Sequence, residues 1–217
     1  MGLHHGFQKV LIVEGVDDKH SVIGLMKSHV DWPEEKARWP VYVDLGNSAS
    51  EILAPAFLTT HFKEAGVTTV GIMLDADSNP AGRYQSIRNT SSRFFADLPE
   101  TMPVGGLVAK NLGGMRMGLW IMPDNLAEGC LETFLRYLVP NSEEPIWKHA
   151  VESVQSAKAS GATCPDKDIP KSNLYTWLAW QNPPGQQPGL ALTKHILDPK
   201  SAYAEPFVKW FRALYEL

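Results

Sequence analysis

The chain has 217 residues, of which 44% are hydrophobic, and this is enough for one large domain or for a domain with an appendage. Its 20 lysines and arginines are outnumbered by 24 aspartates and glutamates, and the net charge of -4 argues against a protein that coats nucleic acid through bulk positive charge. The two cysteines have neither the spacing of a zinc site nor the density of a secreted disulfide scaffold.

The sequence also lacks the signals of export and membrane insertion. The first ten residues, MGLHHGFQKV, have no apolar core of a signal peptide. No stretch approaches the roughly 18 uninterrupted apolar residues of a membrane span. We therefore expect a cytoplasmic protein without a membrane partner.

Strand and helix patterns alternate along the first part of the chain. Apolar runs predict four buried strands, at Lys9–Val13, Trp39–Leu45, Thr68–Leu74 and Met117–Met122. Helical periodicity predicts helices over Asp17–Ser28, from Ser48 or Ser50 to about Phe62, and from the turn at Pro80 to about Asp97. This order predicts an α/β fold with parallel strands joined by right-handed crossovers.

The second part of the chain has helical periodicity only. It predicts helices over Leu131–Val139, Ile146–Ala157, Ser172–Trp180 and Ala202–Leu217. The segment QNPPGQQPG is expected to be a loop, because proline lacks the N–H that a helix needs. We expect residues 1–140 to form the α/β unit and residues 141–217 to form a helical extension packed on it, since its aromatic face is too large to leave exposed.

Acidic residues follow three of the predicted strands. They are Glu14, Asp17 and Asp18 after the first, Asp75 and Asp77 after the third, and Asp124 after the fourth. In open α/β sheets, ligands collect where the carboxyl ends of the strands leave a crevice. Oxygen ligands alone suit Mg²⁺ or Mn²⁺ better than zinc. The pattern predicts a divalent-cation site.

Each cluster also has a simpler interpretation. Glu14 and Asp18 are four residues apart, so they share one side of a helical turn, where like charges repel unless a cation neutralises them. Asp17 and Asp18 could instead only cap the helix. Asp75 and Asp77 point the same way in extended backbone, but DADSNP is also an ordinary polar turn.

The third cluster leaves similar alternatives open. Asp124 could be a metal ligand or a helix N-cap, and Glu132 could belong to the site or to the surface. For Glu128, four residues before Glu132, a solvated surface position is favoured.

The runs LIVEGVDDKH and IMLDADSNP resemble the Toprim domain of topoisomerases, bacterial primases and overcoming-lysogenization-defect (OLD) nucleases. The chain as a whole, including WIMPDNLAEGCLETFL and KSNLYTWLAWQ, resembles the uncharacterised bacterial family DUF3226. The Toprim resemblance implies a four-stranded parallel sheet between helices. It also implies that Glu14 is a general acid/base or a metal ligand, and that Asp75 and Asp77 bind Mg²⁺.

The similarity to OLD nucleases implies further site residues. Asp18 and Glu132 are the counterparts of additional metal ligands, and Lys171, at the start of a predicted helix, is the position nominated for a catalytic lysine. No tyrosine nucleophile, zinc module or ATPase domain is recognisable, so topoisomerase or primase activity is not expected.

Three functions are compatible with these residues. The first is phosphodiester hydrolysis with Mg²⁺ or Mn²⁺ on DNA or RNA, with Glu14→Gln expected to abolish cleavage and preserve the fold. The second is a non-catalytic module that binds Mg²⁺ with a nucleotide or a phosphorylated ligand. The third is a subunit of a defence or repair complex that is active only with a partner ATPase. Assembly of the chain into a homo-oligomer is also left open.

Overall fold

A computed structural model describes residues 6–217. In this range five strands form one sheet, and their bounds are β1 (Lys9–Val13), β2 (Tyr42–Leu45), β3 (Thr69–Asp75), β4 (Leu107–Lys110) and β5 (Arg116–Met122). The spatial order is β2-β1-β3-β5-β4. All neighbours pair in parallel except β4 and β5, which are antiparallel. The carboxyl ends of β1, β3 and β5 therefore lie side by side, and we refer to this end of the sheet as its carboxyl edge.

The four strands predicted from the sequence are present, but the predicted number of strands is wrong. The additional strand, β4, has only four residues and alternates buried with exposed positions, so it gave no strong apolar signal. It joins β5 through a short loop that begins at Asn111, whose N–H donates to the Met115 carbonyl at 2.9 Å. Gly114 has a φ of 87° in this loop, which is the backbone such hairpins need.

Nine α-helices occur in residues 6–217. They are α1 (Val16–Met26), α2 (Ala49–Ile52), α3 (Pro55–Lys63), α4 (Pro80–Ser91), α5 (Leu131–Arg136), α6 (Glu144–Ala159), α7 (Ile169–Ala179), α8 (Pro188–Thr193) and α9 (Glu205–Tyr215). The single helix predicted up to Phe62 is divided at Pro55, which starts α3 because proline suits a first helical position. The helix after Pro80 ends at Ser91, short of Asp97.

The sheet is covered on both faces, which explains why its central strands are apolar between their ends. One face packs against α3 and α4 through residues such as Ile72 and Ile87. The other packs against the helices of the second half, through residues such as Trp177 and Phe207. Whether a domain boundary lies at residue 140 stays a prediction.

Helix α8, which the sequence did not predict, packs closely on α1. A Cβ added at Gly24 would lie 2.3 Å from the Gly189 carbonyl oxygen. Only glycine therefore allows these two helices to approach so closely. This contact ties the second half of the chain to the helix that follows β1.

No helix in the described part of the chain has the length and apolar character needed to cross a membrane. The N-terminal segment that was expected not to be a signal peptide includes residues 1–5, which lie outside the described residues.

Candidate carboxylate site

A cavity of about 350 Å³ lies at the carboxyl edge of the sheet. Its walls are the loop after β1, the first turn of α1, the end of β3, the start of α5 and the start of α7. Side chains of Asp18, Asp75, Asp77, Glu132 and Lys171 line it. The structure thus brings together five of the seven site residues predicted from the sequence.

Asp75 is the last residue of β3, and its carboxyl group is largely buried. Its Oδ1 accepts a hydrogen bond from the N–H of Leu131 at 2.9 Å, which fixes the start of α5 against the strand. Burial raises the pKa of Asp75 to about 9, and the negative charges of Asp18, Glu14 and Glu132 add to the shift. Both effects favour the protonated form of this carboxyl.

Asp18 lies in the first turn of α1. Its Oδ2 accepts a hydrogen bond from the N–H of Gly15 at 2.8 Å, so the capping role suggested by the sequence is present. Burial raises the pKa of Asp18 to about 7, with further contributions from Glu14 and Glu132. We refer to Glu14, Asp18, Asp75 and Glu132 as the carboxylate cluster, because their charges act on one another.

Glu14 has a different environment from the other members of the cluster. One of its oxygens accepts from the N–H of Asp75 at 2.8 Å, and the other accepts from the N–H of Ala49 at 3.1 Å. Burial raises its pKa, although these two hydrogen bonds and the nearby Arg83 act in the opposite direction. Glu14 therefore connects the ends of β1 and β3 to the start of α2.

Lys171 brings a positive charge to the cluster from α7. Its Nζ lies 3.5 Å from a carboxylate oxygen of Asp17 and 3.7 Å from one of Glu132. The hydroxyl of Tyr175, one turn further along α7, donates to Asp17 at 2.8 Å. Burial acts to lower the pKa of Lys171, but Glu132 and Asp17 outweigh it and the pKa is raised.

Two predicted ligands have other partners. The carboxylate of Asp77 lies on the cavity wall but pairs with Arg83, and its side chain is 61% exposed. Asp124 is not part of the cavity lining. Its Oδ1 accepts from the N–H groups of Leu126 and Ala127 at 3.0 and 2.8 Å, the arrangement of a turn.

The donor set contains the oxygens that Mg²⁺ and Mn²⁺ prefer, but it is not arranged as a finished site. Within residues 6–217, no group of three or more His, Cys, Asp or Glu side chains is positioned to hold a metal ion. The hydrogen bonds explain this, because oxygens of Glu14, Asp18 and Asp75 are turned towards backbone N–H groups. For Asp18 or Asp75 to use these oxygens as ligands, its side chain would have to turn away from the backbone N–H group that it now accepts from.

Two groups at this site, a thiol and a phenol, were not predicted from the sequence. Cys130 lines the cavity, and burial together with the charge of Glu132 raises the pKa of its thiol to about 12. Its position two residues before Glu132 was the only available signal. Tyr175 could have been found from its spacing, since it follows Lys171 by four residues and so shares its side of α7.

Neither the curated proteins nor the solved structures contain a match to this chain. A family model with the description "Protein of unknown function (DUF3226)" matches residues 8–216. This match confirms the resemblance to DUF3226 inferred from the sequence. Because it extends over nearly the whole length, the chain belongs to the DUF3226 family.

Proposed function

We propose that this protein hydrolyses phosphodiester bonds with Mg²⁺ or Mn²⁺ held by three members of the carboxylate cluster, Asp18, Asp75 and Glu132. The observation that carries the proposal is the convergence of Asp18, Asp75 and Glu132 on one cavity at the carboxyl edge of the sheet. The raised pKa values of Asp75 and Asp18, about 9 and about 7, support it. Desolvated carboxyls that crowd one another are unfavourable in their charged form, and a divalent cation relieves the repulsion.

The proposed ligands are Asp18, Asp75 and Glu132. All three line one cavity, and Asp75 uses only one of its oxygens to accept from Leu131. Asp77 could join them if its ion pair with Arg83 opened. We do not include Asp124, since its carboxylate accepts two backbone hydrogen bonds outside the cavity.

Glu14 takes a positioning role in this proposal. Its oxygens hold the N–H groups of Asp75 and Ala49, so it fixes the end of β3, from which Asp75 projects. A bound cation would supply an activated water and stabilise the leaving oxygen. Lys171, next to Glu132, would contact a phosphate oxygen of the substrate and offset its charge.

The choice of a phosphodiester rather than another substrate rests on the Toprim resemblance. The runs LIVEGVDDKH and IMLDADSNP contain Glu14, Asp18, Asp75 and Asp77, and these residues lie around one edge of the sheet. The similarity to OLD nucleases and the Toprim arrangement of strands are part of this proposal. DNA and RNA are the substrates to test first.

A second candidate is a non-catalytic module that binds Mg²⁺ together with a phosphorylated ligand. One observation favours it: both oxygens of Glu14, the residue nominated as acid or base, are already bonded to backbone N–H groups. A carboxylate held in this way is poorly placed to transfer a proton. In this case the protein would bind cation and ligand without turnover, alone or within a larger complex.

The test separates cation binding from cleavage. Calorimetry with Mg²⁺ and Mn²⁺ on the wild type should show binding that Glu132→Gln weakens and Glu128→Gln leaves unchanged, because Glu128 is exposed and lies outside the cavity. Single-stranded, double-stranded and supercoiled DNA, and RNA, are then incubated with each metal. Cleavage that needs Glu132 supports the enzyme, binding without cleavage supports the module, and identical metal affinity in all three proteins refutes the cation site.

A further inference from the structure

Strand β4 is one of the two outermost strands of the sheet, and its outer side has no strand partner among residues 6–217. In an antiparallel pair, residues alternate between those that exchange hydrogen bonds with the partner strand and those whose N–H and C=O point away. Asn111 is bonded to Met115, and the register continues with Ala109 opposite Met117. Val108 and Lys110 are therefore the residues whose backbone groups point outward.

The edge of β4 is held in place at both ends. The indole N–H of Trp210, on α9, donates to the Leu107 carbonyl at 2.9 Å. At the other end, the N–H of Gly114 donates to the Asn111 carbonyl at 3.0 Å, and the side chain of Asn111 accepts from the N–H of Met115 at 3.0 Å. A strand fixed in this way needs little ordering to accept another strand, which lowers the entropic cost of binding.

A groove runs beside this edge. Its volume is about 450 Å³, and it lies between β4 and the segment 92–99 that follows α4. Buried Phe95 and Leu98 are among its apolar lining, and Val108, beside it, is 40% exposed. The groove thus offers outward backbone groups on one side and apolar surface on the other.

The charge of the groove is opposite to that of the chain. Arg93 and Lys110 line it, and within the described residues neither has a carboxylate at ion-pair distance. Arg93 instead contacts the Pro55 carbonyl and the Thr59 hydroxyl. Asp97 is the one carboxylate among the groove residues, whereas the chain as a whole carries -4.

We propose that β4 binds an extended segment of a partner protein in which apolar and acidic side chains alternate. The segment would add a strand to the sheet through the backbone of Val108 and Lys110, the mode by which exposed sheet edges bind peptides. Its acidic residues would meet Arg93 and Lys110. A second copy of this chain fits less well, because pairing two β4 edges would bring the cations of both copies together.

The test uses the full chain and a synthetic hexapeptide that alternates valine and glutamate and is blocked at both ends. Isotope-labelled protein is titrated with the peptide and followed by NMR, and affinity is measured by calorimetry. We expect saturable binding with the amide signals of Val108 and Lys110 shifted most. A peptide that alternates valine and lysine should not bind.

Two variants test the two parts of the recognition separately. Val108→Pro removes an outward N–H without taking a bond from the β4–β5 pair, since proline is tolerated at sheet edges, and it should weaken binding about tenfold or more. Lys110→Glu reverses a charge and should have a similar effect. Lys148→Glu, at an exposed position of α6 outside the groove, is the matched control and should not alter affinity.

Three results would overturn the proposal. If neither peptide binds, the short strand and its lysine protect the edge against pairing, as they do in many sheets. If the shifted amides lie away from β4, the peptide recognises another surface. If the protein alone dimerises in sedimentation and Val108→Pro makes it monomeric, the occupant is a second copy.

Discussion

Replacing Asp75 by asparagine should make the protein more stable at alkaline pH. The amide keeps the size of the carboxyl, and its oxygen can still accept from the N–H of Leu131. It cannot ionise, however, so the repulsion with Asp18, Glu14 and Glu132 disappears. The variant tests directly whether the cluster is as crowded as its geometry indicates.

The sign and size of the effect follow from proton linkage. The pKa of Asp75 is about 9 in the folded protein, whereas an unperturbed aspartate, which stands for the unfolded state, has a pKa of 3.8. Between about pH 5 and 8 the folded state therefore holds a proton that the unfolded state has lost. Stability then falls by about 1.4 kcal/mol per pH unit as the pH rises. The part of this loss that Asp75→Asn would remove is on the order of 2–4 kcal/mol between about pH 5 and 8.

The assay is urea unfolding at about pH 5, 6, 7 and 8 with a chelator present, followed by tryptophan fluorescence. Asp75→Asn should flatten the pH dependence, while the control Asp31→Asn, at an exposed position, should keep the wild-type slope. Saturating Mg²⁺ should restore much of the lost stability of the wild type at about pH 8 and do less for Asp75→Asn. Equal slopes in all three proteins would show that Asp75 titrates normally, and the reasoning about the cluster would fail.

Three further predictions concern individual contacts. Glu14→Gln should lower the free energy of unfolding by about 1–3 kcal/mol, because its NH₂ group would face one of the two N–H groups that the carboxylate now accepts from, and chemical denaturation checks this. Gly24→Ala should cost about 1–3 kcal/mol, since the new Cβ would lie 2.3 Å from the Gly189 carbonyl oxygen, and a thermal melt unchanged from wild type would contradict the α1–α8 contact. Trp210→Phe should cost about 1 kcal/mol through loss of the bond to Leu107, and should speed amide hydrogen exchange in β4 while leaving exchange in β1 unchanged.

The sequence predicted the parallel part of the sheet well, for a physical reason. Strands buried on both faces are continuous apolar runs, and the runs in β1, β3 and β5 are of this kind. Only one of the four residues of β4 is buried, so this segment is a strand because it pairs with β5 and not because of an apolar run of its own. Helix α8 depends in the same way on its contact with α1, since a six-residue helix is not stable alone.

For the candidate site too, one part could be predicted from the sequence and another could not. The topology of parallel strands places Glu14 and Asp75 at one edge, and this could be predicted. The direction in which each carboxylate points could not be predicted, because it depends on backbone N–H groups that only the folded chain brings near. The sequence suggested that Glu14→Gln would leave the fold intact because it treated the side chain as free to act, whereas the two hydrogen bonds of Glu14 lead us to expect a measurable loss of stability.

The carboxylate site is built from both halves of the chain. Asp18 and Asp75 belong to the first half, whereas Lys171 and Tyr175 reach Asp17 and Glu132 from α7, and Lys171 follows Asp17 by 154 residues. During synthesis the acidic residues leave the ribosome long before their positive neighbour. A nascent chain that has not yet reached α7 therefore lacks Lys171 and Tyr175, and the cavity is complete only once that helix has been made and has docked.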